Sequence, residues 1–327
     1  MLRIYLDIED RSHTPGARNA AREMAHLLNF DEAGVERAAI VVTEVCTNLV
    51  KHAGGGSISL SINRQNGIDL LAMDRGPGMV NLGECLADGF NAAGMPSTGL
   101  GAIARLSAFS DAYSQAGRGT VLHAVIGERL GRIACPGRVC GVQAPKPGQD
   151  VCGDAWSWKE DRVGHTVMVA DGLGQGPGAA AASHRAVEIF TAHRPCGPAE
   201  LLASIHAGLR ETRGAAVSIA TLDSQRRVVN FAGLGHVAGF VAGHDAPKRQ
   251  MVSMNGTAGL ERPGVFREFS YPWPQGAAVV LHSGGVAAHW TLDDCPALLT
   301  RGPALIAGVL FRDFRRLGDD ATVVCMA

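Results

Sequence analysis

Residues 169–183 read VADGLGQGPGAAAAS, and this stretch decides how the second half of the chain folds. Residues 167–170 form an apolar run that ends at Asp171, which predicts a buried strand with a carboxylate at its end. A proline between two glycines, followed by a run of alanines, predicts a helix that begins near Pro177 and extends to about Thr191. A carboxylate therefore lies where a strand passes into a glycine-rich turn.

Two other segments also place carboxylates beside predicted strands. Asp154 follows Gly153, and Asp319 and Asp320 come just before the apolar strand at residues 322–326. Taken singly, each Asp is more often a turn residue or a cap. Together they would form an oxygen-rich site for hard divalent cations such as Mn²⁺ or Mg²⁺. Two such ions about 4 Å apart would orient a water for attack on a phosphate monoester.

The order of these motifs is specific. GDxW, VADGLGQGPGAAAAS, AGLGH, HSGGV and DDATVV follow one another and resemble the SpoIIE-type branch of the PPM phosphatases over about residues 133–327. The resemblance implies an α-β-β-α sandwich with a two-metal catalytic centre. Asp171 would be the catalytic ligand shared by both ions, and the Gly172 carbonyl would contact one of them. Asp154 and Asp319 would complete the sites, with Asp320 beside Asp319 as an orienting or metal-binding acid.

Two positions depart from the family pattern. Gly284 stands where these phosphatases usually have Asp, so one metal ion loses a carboxylate ligand. His236 stands where an Asn is common, and we expect it to pack or to form a hydrogen bond rather than to act as a catalytic acid.

The first half of the chain has a polar pair on an otherwise apolar helix. Residues 35–50 carry an apolar stripe at helical spacing, and Glu44 and Asn48 lie one turn apart at its edge. Such a pair is usually a solvated face. Alternating strands are predicted at residues 2–8 and 58–62, and a turn at Asn66-Gly67 leads into a third strand that ends at Asp74.

Three glycine clusters follow this helix, and each one alone predicts only a turn. They read DRGPG at residues 74–78, STGLG at 97–101 and GRGT at 117–120. In order, the helix segment EVCTNLVKHA, DRGPG, GLG and GT resemble the GHKL ATPase family, and within it the anti-sigma and switch-protein serine kinases. The resemblance covers about residues 1–127.

This resemblance implies an ATP site on an open α/β sandwich of the Bergerat type. Glu44 would be the catalytic group that polarises the attacking hydroxyl or water, Asn48 would ligate Mg²⁺, and Asp74 would hydrogen-bond the adenine amino group. Thr120 would support the adenine end. Four glycines would leave room for the nucleotide and its lid: Gly76, Gly78, Gly99 and Gly101. The segment between residues 78 and 99 contains three isolated glycines, Gly83, Gly89 and Gly94, and no glycine run, whereas the switch kinases carry a lid richer in glycine.

Length and composition set the domain organisation. The 327 residues are enough for two domains of about 150 each. Glycines, a proline and charges near residue 130 predict a linker. We therefore predict an α+β chain with a GHKL (Bergerat) α/β sandwich at residues 1–128, a linker at 129–137 and a PPM-type α-β-β-α sandwich at 138–327.

Charge and hydropathy exclude several classes of partner. The 30 Lys and Arg residues nearly balance the 31 Asp and Glu residues, so no overall field favours nucleic acid or an anionic membrane. No apolar run approaches the roughly 20 residues that span a bilayer. Met1 leads directly into a strand pattern rather than a signal peptide, so we expect a cytoplasmic protein with reduced, structural cysteines.

The two resemblances together predict the function. The expected activity is removal of phosphate from serine or threonine of a STAS-domain partner, in a bacterial partner-switching or stressosome pathway of sigma-factor regulation. The expected cofactors are two Mn²⁺ or Mg²⁺ ions in the phosphatase domain and ATP with Mg²⁺ in the first domain. Two alternatives stay open: the ATP module is a nucleotide sensor, or the chain sequesters STAS proteins with little turnover.

Overall fold

The computed structural model describes residues 2–82, 99–128, 137–161, 164–243, 248–260 and 264–327. It divides into two units, Met1–Gly137 and Arg138–Ala327, and each has its own hydrophobic core. Most of the predicted linker lies outside the described residues, and so does most of the predicted lid segment, including Gly94, Ser97 and Thr98.

The first unit contains one antiparallel sheet with the strand order β1-β2-β3-β5-β4. Its strands are β1 (Arg3–Ile8), β2 (Gly56–Ile62), β3 (Ile68–Met73), β4 (Phe109–Gln115) and β5 (Gly119–Ile126). The turn between β2 and β3 forms because Asn66 adopts a positive φ of 59°, which Asn tolerates better than most residues. β3, the central strand of this sheet, ends at Met73, so Asp74 lies directly after the end of that strand.

Helices cover one face of this sheet. They are α1 (Thr14–Leu27), α2 (Glu32–Asn48) and α3 (Leu100–Leu106). α2 begins three residues before the predicted start because the Asp31 side chain accepts a hydrogen bond of 2.7 Å from the Gly34 amide and caps the helix. A π-helical turn, Leu49–Ala53, continues it and ends at Gly54 in the left-handed conformation. Wide turns of this kind often mark functional positions.

The second unit contains two five-stranded sheets, ordered β13-β10-β9-β8-β7 and β12-β11-β14-β15-β6. The strands are β6 (Val139–Ala144), β7 (Asp154–Glu160), β8 (Gly164–Gly172), β9 (Ala215–Asp223), β10 (Val228–Leu234), β11 (Ala238–Ala242), β12 (Arg249–Met251), β13 (Phe269–Pro272), β14 (Ala278–His282) and β15 (Ala321–Met326). Every named pairing in these sheets is antiparallel.

Alternation along β8 shows how the layers form. Val167 and Val169 join the core between the two sheets, whereas Met168 and Ala170 join the core beneath the helices. Those helices are α4 (Pro177–Ala192) and α5 (Pro198–Gly208), and α6 (Pro303–Phe314) packs on β6 and β15 of the other sheet. The result is an α-β-β-α sandwich, as predicted.

Across the described ranges, no helix is both long enough and apolar enough to cross a membrane.

Candidate functional site

Strand register places two of the predicted acids opposite each other. Asp154, the first residue of β7, pairs with Asp171 near the end of β8. Directly opposed residues on antiparallel strands project on the same face, with Cβ atoms about 5 Å apart. Asp171 shares the face of Val169, so both carboxylates point toward the space between the sheets, at one end of the sandwich.

Asp154 is the most deeply buried of the predicted acids. Its relative exposure is 0%, and neither carboxylate oxygen has a hydrogen-bond partner of normal geometry. Burial, and then the charge of Asp171, raises the pKa of Asp154 well above its usual value, while the nearby Ser283 and Thr322 hydroxyls offset part of that shift. A buried carboxyl without partners is costly unless a cation or donor reaches it.

The second sheet supplies the other acids. The end of β14 pairs with the start of β15, and Asp319 and Asp320 come just before β15. Burial, and then the charge of Asp171, also raises the pKa of Asp319, which precedes β15. Asp320 accepts hydrogen bonds from the Lys146 amide at 2.8 Å and the Gly153 amide at 2.9 Å. It therefore connects the start of β15 to the residue before Asp154.

His236 and Gly284 complete the surroundings of Asp171. His236 follows β10, where the chain crosses from one sheet to the other, and its Nε2 lies 3.0 Å from Asp171 Oδ2. This hydrogen bond raises the pKa of His236. The Gly284 amide lies 3.5 Å from the same oxygen. The sequence predicted a hydrogen bond or packing for His236 but gave no sign that its partner is Asp171, 65 residues away.

The chemistry of this donor set fits divalent cations. The charge of Asp171 raises the pKa of both Asp154 and Asp319, and a cation among these carboxylates would offset that repulsion. In the described part of the chain, no three His, Cys, Asp or Glu side chains already stand where they could hold one ion. The metal roles assigned to these acids, to Asp320 and to the Gly172 carbonyl stay predictions.

In the first unit, Asn48 lies beside the start of α3. A methyl group built on Gly99 would come within 2.6 Å of Asn48 Oδ1 and 2.8 Å of its Nδ2. Glycine at this position thus leaves room for the amide. Glu44 is half-buried on α2, one turn earlier. The pair projects from the last turns of α2 before the π-helical turn.

Asp74 organises the turn after β3. Its Oδ1 accepts hydrogen bonds from the Gly76 amide at 2.8 Å and the Thr120 amide at 3.2 Å. Gly78 has a positive φ of 67°, a conformation that favours glycine. The structure therefore brings Asp74, Gly76 and Thr120 together, while Gly101 lies buried in α3.

Ser114 belongs to this cluster and was not predicted. Its hydroxyl lies 2.9 Å from Thr120 Oγ1 and accepts a hydrogen bond of 2.8 Å from the Met79 amide. It pairs with Thr120 across β4 and β5. A serine in an alternating strand carries no signal of its own, so only the register shows this contact.

The opposed carboxylates at the end of a four-layer sandwich define the second unit as a PPM-type serine/threonine phosphatase domain. A kinase-like ATPase domain precedes it. The chain belongs to the SpoIIE family, since the family model "Stage II sporulation protein E (SpoIIE)" matches residues 161–327. A second model, "Histidine kinase-like ATPase domain", matches residues 9–126. The fold, the enzyme class and both resemblances predicted from the sequence are thereby confirmed.

Individual relatives agree with these families. The chain is 30% identical over 112 residues to the serine/threonine-protein kinase RsbT of Bacillus subtilis (strain 168), covering 33% of this chain and 84% of RsbT. A second relative is a structure solved in work on the bacterial stressosome, a modular system that has been adapted to control secondary messenger signaling. It is 21% identical in sequence to this chain. It matches with a TM-score of 0.54 over 58% of this chain and 98% of its own, which supports the fold.

Proposed function

We propose that this protein is a metal-dependent protein serine/threonine phosphatase that acts on a phosphorylated STAS-domain partner in a bacterial partner-switching pathway. The observation that carries the proposal is the register that sets Asp154 against Asp171, with Asp154 buried and without a hydrogen-bond partner of normal geometry. The similarity to RsbT and to a stressosome structure supports a partner of this kind.

The residues at the phosphatase site would have different roles as metal ligands or as positioning residues. Asp171 would be shared between two Mn²⁺ or Mg²⁺ ions, with Asp154 and Asp319 completing the ligand sets and the Gly172 carbonyl adding a neutral oxygen. When bound, the ions supply a Lewis acid and lower the pKa of a water. Asp320 holds the start of β15 against Gly153 and so positions Asp154 and Asp319 relative to each other.

The first unit would bind ATP with Mg²⁺. Asn48 would be a ligand of Mg²⁺. Asp74, oriented by the Gly76 and Thr120 amides, would accept a hydrogen bond from the adenine amino group. Glu44 would accept a proton from the hydroxyl that receives phosphate. Such chemistry depends chiefly on positioning and charge neutralisation.

The proposal is tested with the full-length protein and two substrates, an aryl phosphate and a phosphoserine STAS protein. We expect hydrolysis that requires added Mn²⁺ and is lost in Asp171→Ala, because one carboxylate serves both ions. Asp223→Ala is the matched control, since Asp223 is also a buried strand-end acid but caps a turn through Gln225 and Arg226. Hydrolysis that persists in chelator refutes the two-metal mechanism.

Sequestration of STAS proteins with little turnover is the second candidate, favoured by the missing carboxylate at Gly284. A separate alternative is that the ATP module is a nucleotide sensor. Glu44→Ala separates the kinase from the sensor. A kinase loses transfer of labelled phosphate from ATP to the STAS protein while its nucleotide affinity stays near normal, because a general base acts on the chemical step. If the wild type labels no candidate partner, the sensor role replaces the kinase role.

A further inference from the structure

Gly284 and His236 lie against each other at the mouth of the phosphatase site. A Cβ built on Gly284 would be 3.2 Å from His236 Cδ2, 3.5 Å from its Nε2 and 3.7 Å from Asp171 Oδ2. The imidazole thus covers the space that a side chain at position 284 would enter. A carboxylate there and this histidine conformer compete for one place.

The backbone gives no reason for glycine at this position. Gly284 is not among the glycines with positive φ, so its conformation is open to any residue. Its neighbour Gly285 differs, because a Cβ there would overlap the Asp320 carbonyl. The absence of a side chain at 284 therefore serves the contact with His236 rather than the turn.

The distance from His236 to Asp171 matches that between neighbouring ligands of one ion. Metal–nitrogen and metal–oxygen bonds of about 2.1 Å at a right angle separate two ligand atoms by about 3 Å. His236 Nε2 and Asp171 Oδ2 are 3.0 Å apart. The imidazole is 61% exposed, so it can rotate to present Nε2 to an ion at Asp171.

We propose that His236 is a metal ligand whose imidazole nitrogen takes the coordination position that an Asp at 284 would otherwise supply. Asp171, Asp319 and His236 then form a mixed nitrogen and oxygen site beside the all-oxygen site of Asp154. This inference rests on the proposed metal dependence of the phosphatase. Imidazole binds first-row transition-metal ions more readily than it binds Mg²⁺, and more strongly toward the later metals, so the site prefers Co²⁺, and to a smaller degree Mn²⁺, to Mg²⁺.

The test uses electron spin-echo measurements on the Mn²⁺-loaded full-length protein, with calorimetric titration of Mn²⁺ and Mg²⁺ alongside. Nitrogen bound directly to Mn²⁺ modulates the echo through a large hyperfine coupling, whereas a nitrogen that is only hydrogen-bonded outside the coordination sphere has a much smaller coupling. We expect modulation in the wild type and none in His236→Asn, whose amide can still hydrogen-bond Asp171. His184→Asn, which removes an exposed imidazole on α4, is the control and leaves the signal unchanged.

A double variant exchanges the two ligands. His236→Asn lowers Mn²⁺ affinity by about tenfold or more. Adding Gly284→Asp restores affinity without nitrogen modulation and raises the ratio of Mg²⁺ to Mn²⁺ binding. If the wild type binds Mn²⁺ but shows no nitrogen modulation, His236 is not a ligand and the metal-dependent function still stands. If the wild type does not bind Mn²⁺, both the ligand role and the proposed function are wrong.

Discussion

Asp154 faces Asp171 directly across the antiparallel pairing of β7 and β8. Like-charged side chains in opposed positions destabilise a sheet, and Asp154 is also fully buried without a hydrogen-bond partner of normal geometry. The pair thus lowers the stability of the metal-free fold while creating a place for cations. Strain of this kind at a site is expected where function and stability compete.

Asp154→Asn should therefore stabilise the metal-free protein and weaken metal binding together. We expect the free energy of unfolding, measured by urea denaturation in chelator, to rise by about 1 to 2 kcal/mol because an ionisable carboxyl buried opposite Asp171 is removed. Asp223→Asn is the control and should give no rise in the unfolding free energy. Asp223 already accepts hydrogen bonds from the Gln225 and Arg226 amides. An Asp154→Asn protein less stable than the wild type in chelator contradicts this reading.

Asp74→Asn should weaken ATP binding without disturbing the turn. The amide keeps one oxygen to accept from Gly76 and Thr120, while the acceptor proposed for adenine is lost. A hydrogen bond to a charged acceptor contributes about 1.5 to 3 kcal/mol. Calorimetry should show a matching loss of ATP affinity, and equal affinity for the two proteins would remove Asp74 from the adenine site.

Gly99→Ala should displace Asn48 and reduce binding of ATP with Mg²⁺. Its Cβ would meet the Asn48 amide at 2.6 Å, and only a shift of that side chain relieves the contact. We expect a loss of about tenfold, equivalent to one hydrogen bond of about 1.4 kcal/mol. Gly16→Ala is the matched control, because a Cβ there has nothing within 4 Å. Equal effects of the two substitutions on nucleotide affinity would separate Asn48 from the site.

His282 should make stability depend on pH. Burial lowers its pKa to about 4, and its ring stacks on Phe240 with centroids 5.5 Å apart. Between about pH 6.5 and 4 the unfolded chain binds a proton that the folded chain does not, so stability is present above pH 6.5 and is lost as the pH falls. The loss reaches about 3 kcal/mol, or roughly 1.4 kcal/mol per pH unit.

Urea denaturation from pH 7 to 4.5 checks this for the wild type and for His282→Phe, which keeps the stacking on Phe240. The difference in unfolding free energy between the two proteins isolates the imidazole from the acids that titrate nearby. We expect the unfolding free energy of the variant to rise relative to that of the wild type as the pH falls. A difference that is constant with pH would mean that His282 does not titrate on unfolding.

Local patterns were sufficient for much of the fold. Residues 167–170 and 322–326 were predicted as strands and lie in β8 and β15. The predicted helix 35–50 differs at both ends, because Asp31 caps α2 earlier and the chain widens into a π-helical turn after Asn48. Capping and turn widening depend on single side chains and their neighbours, which apolar periodicity does not report.

The candidate site was likewise predicted only in part from the sequence. The order of the glycine and aspartate motifs identified both families and the acids near Asp171, because each motif is contiguous in sequence. The Ser114 contact with Thr120 and the double engagement of Asp320 could not be predicted, since they depend on which strands are neighbours and in what register. The roles assigned to the site residues and the domain limits at residues 128 and 138 stay predictions.

The sequence by itself determined the two domain classes, the order of their motifs and the residues that could carry charge to a site. Alternation, helical spacing and glycine turns are properties of consecutive residues, so they can be read along the chain. Only the tertiary structure decided that Asp154 opposes Asp171 and that His236 lies against Asp171 where Gly284 has no side chain. The physical reason is that strand register and the packing of two sheets bring together residues whose separation in sequence carries no information about their distance in space.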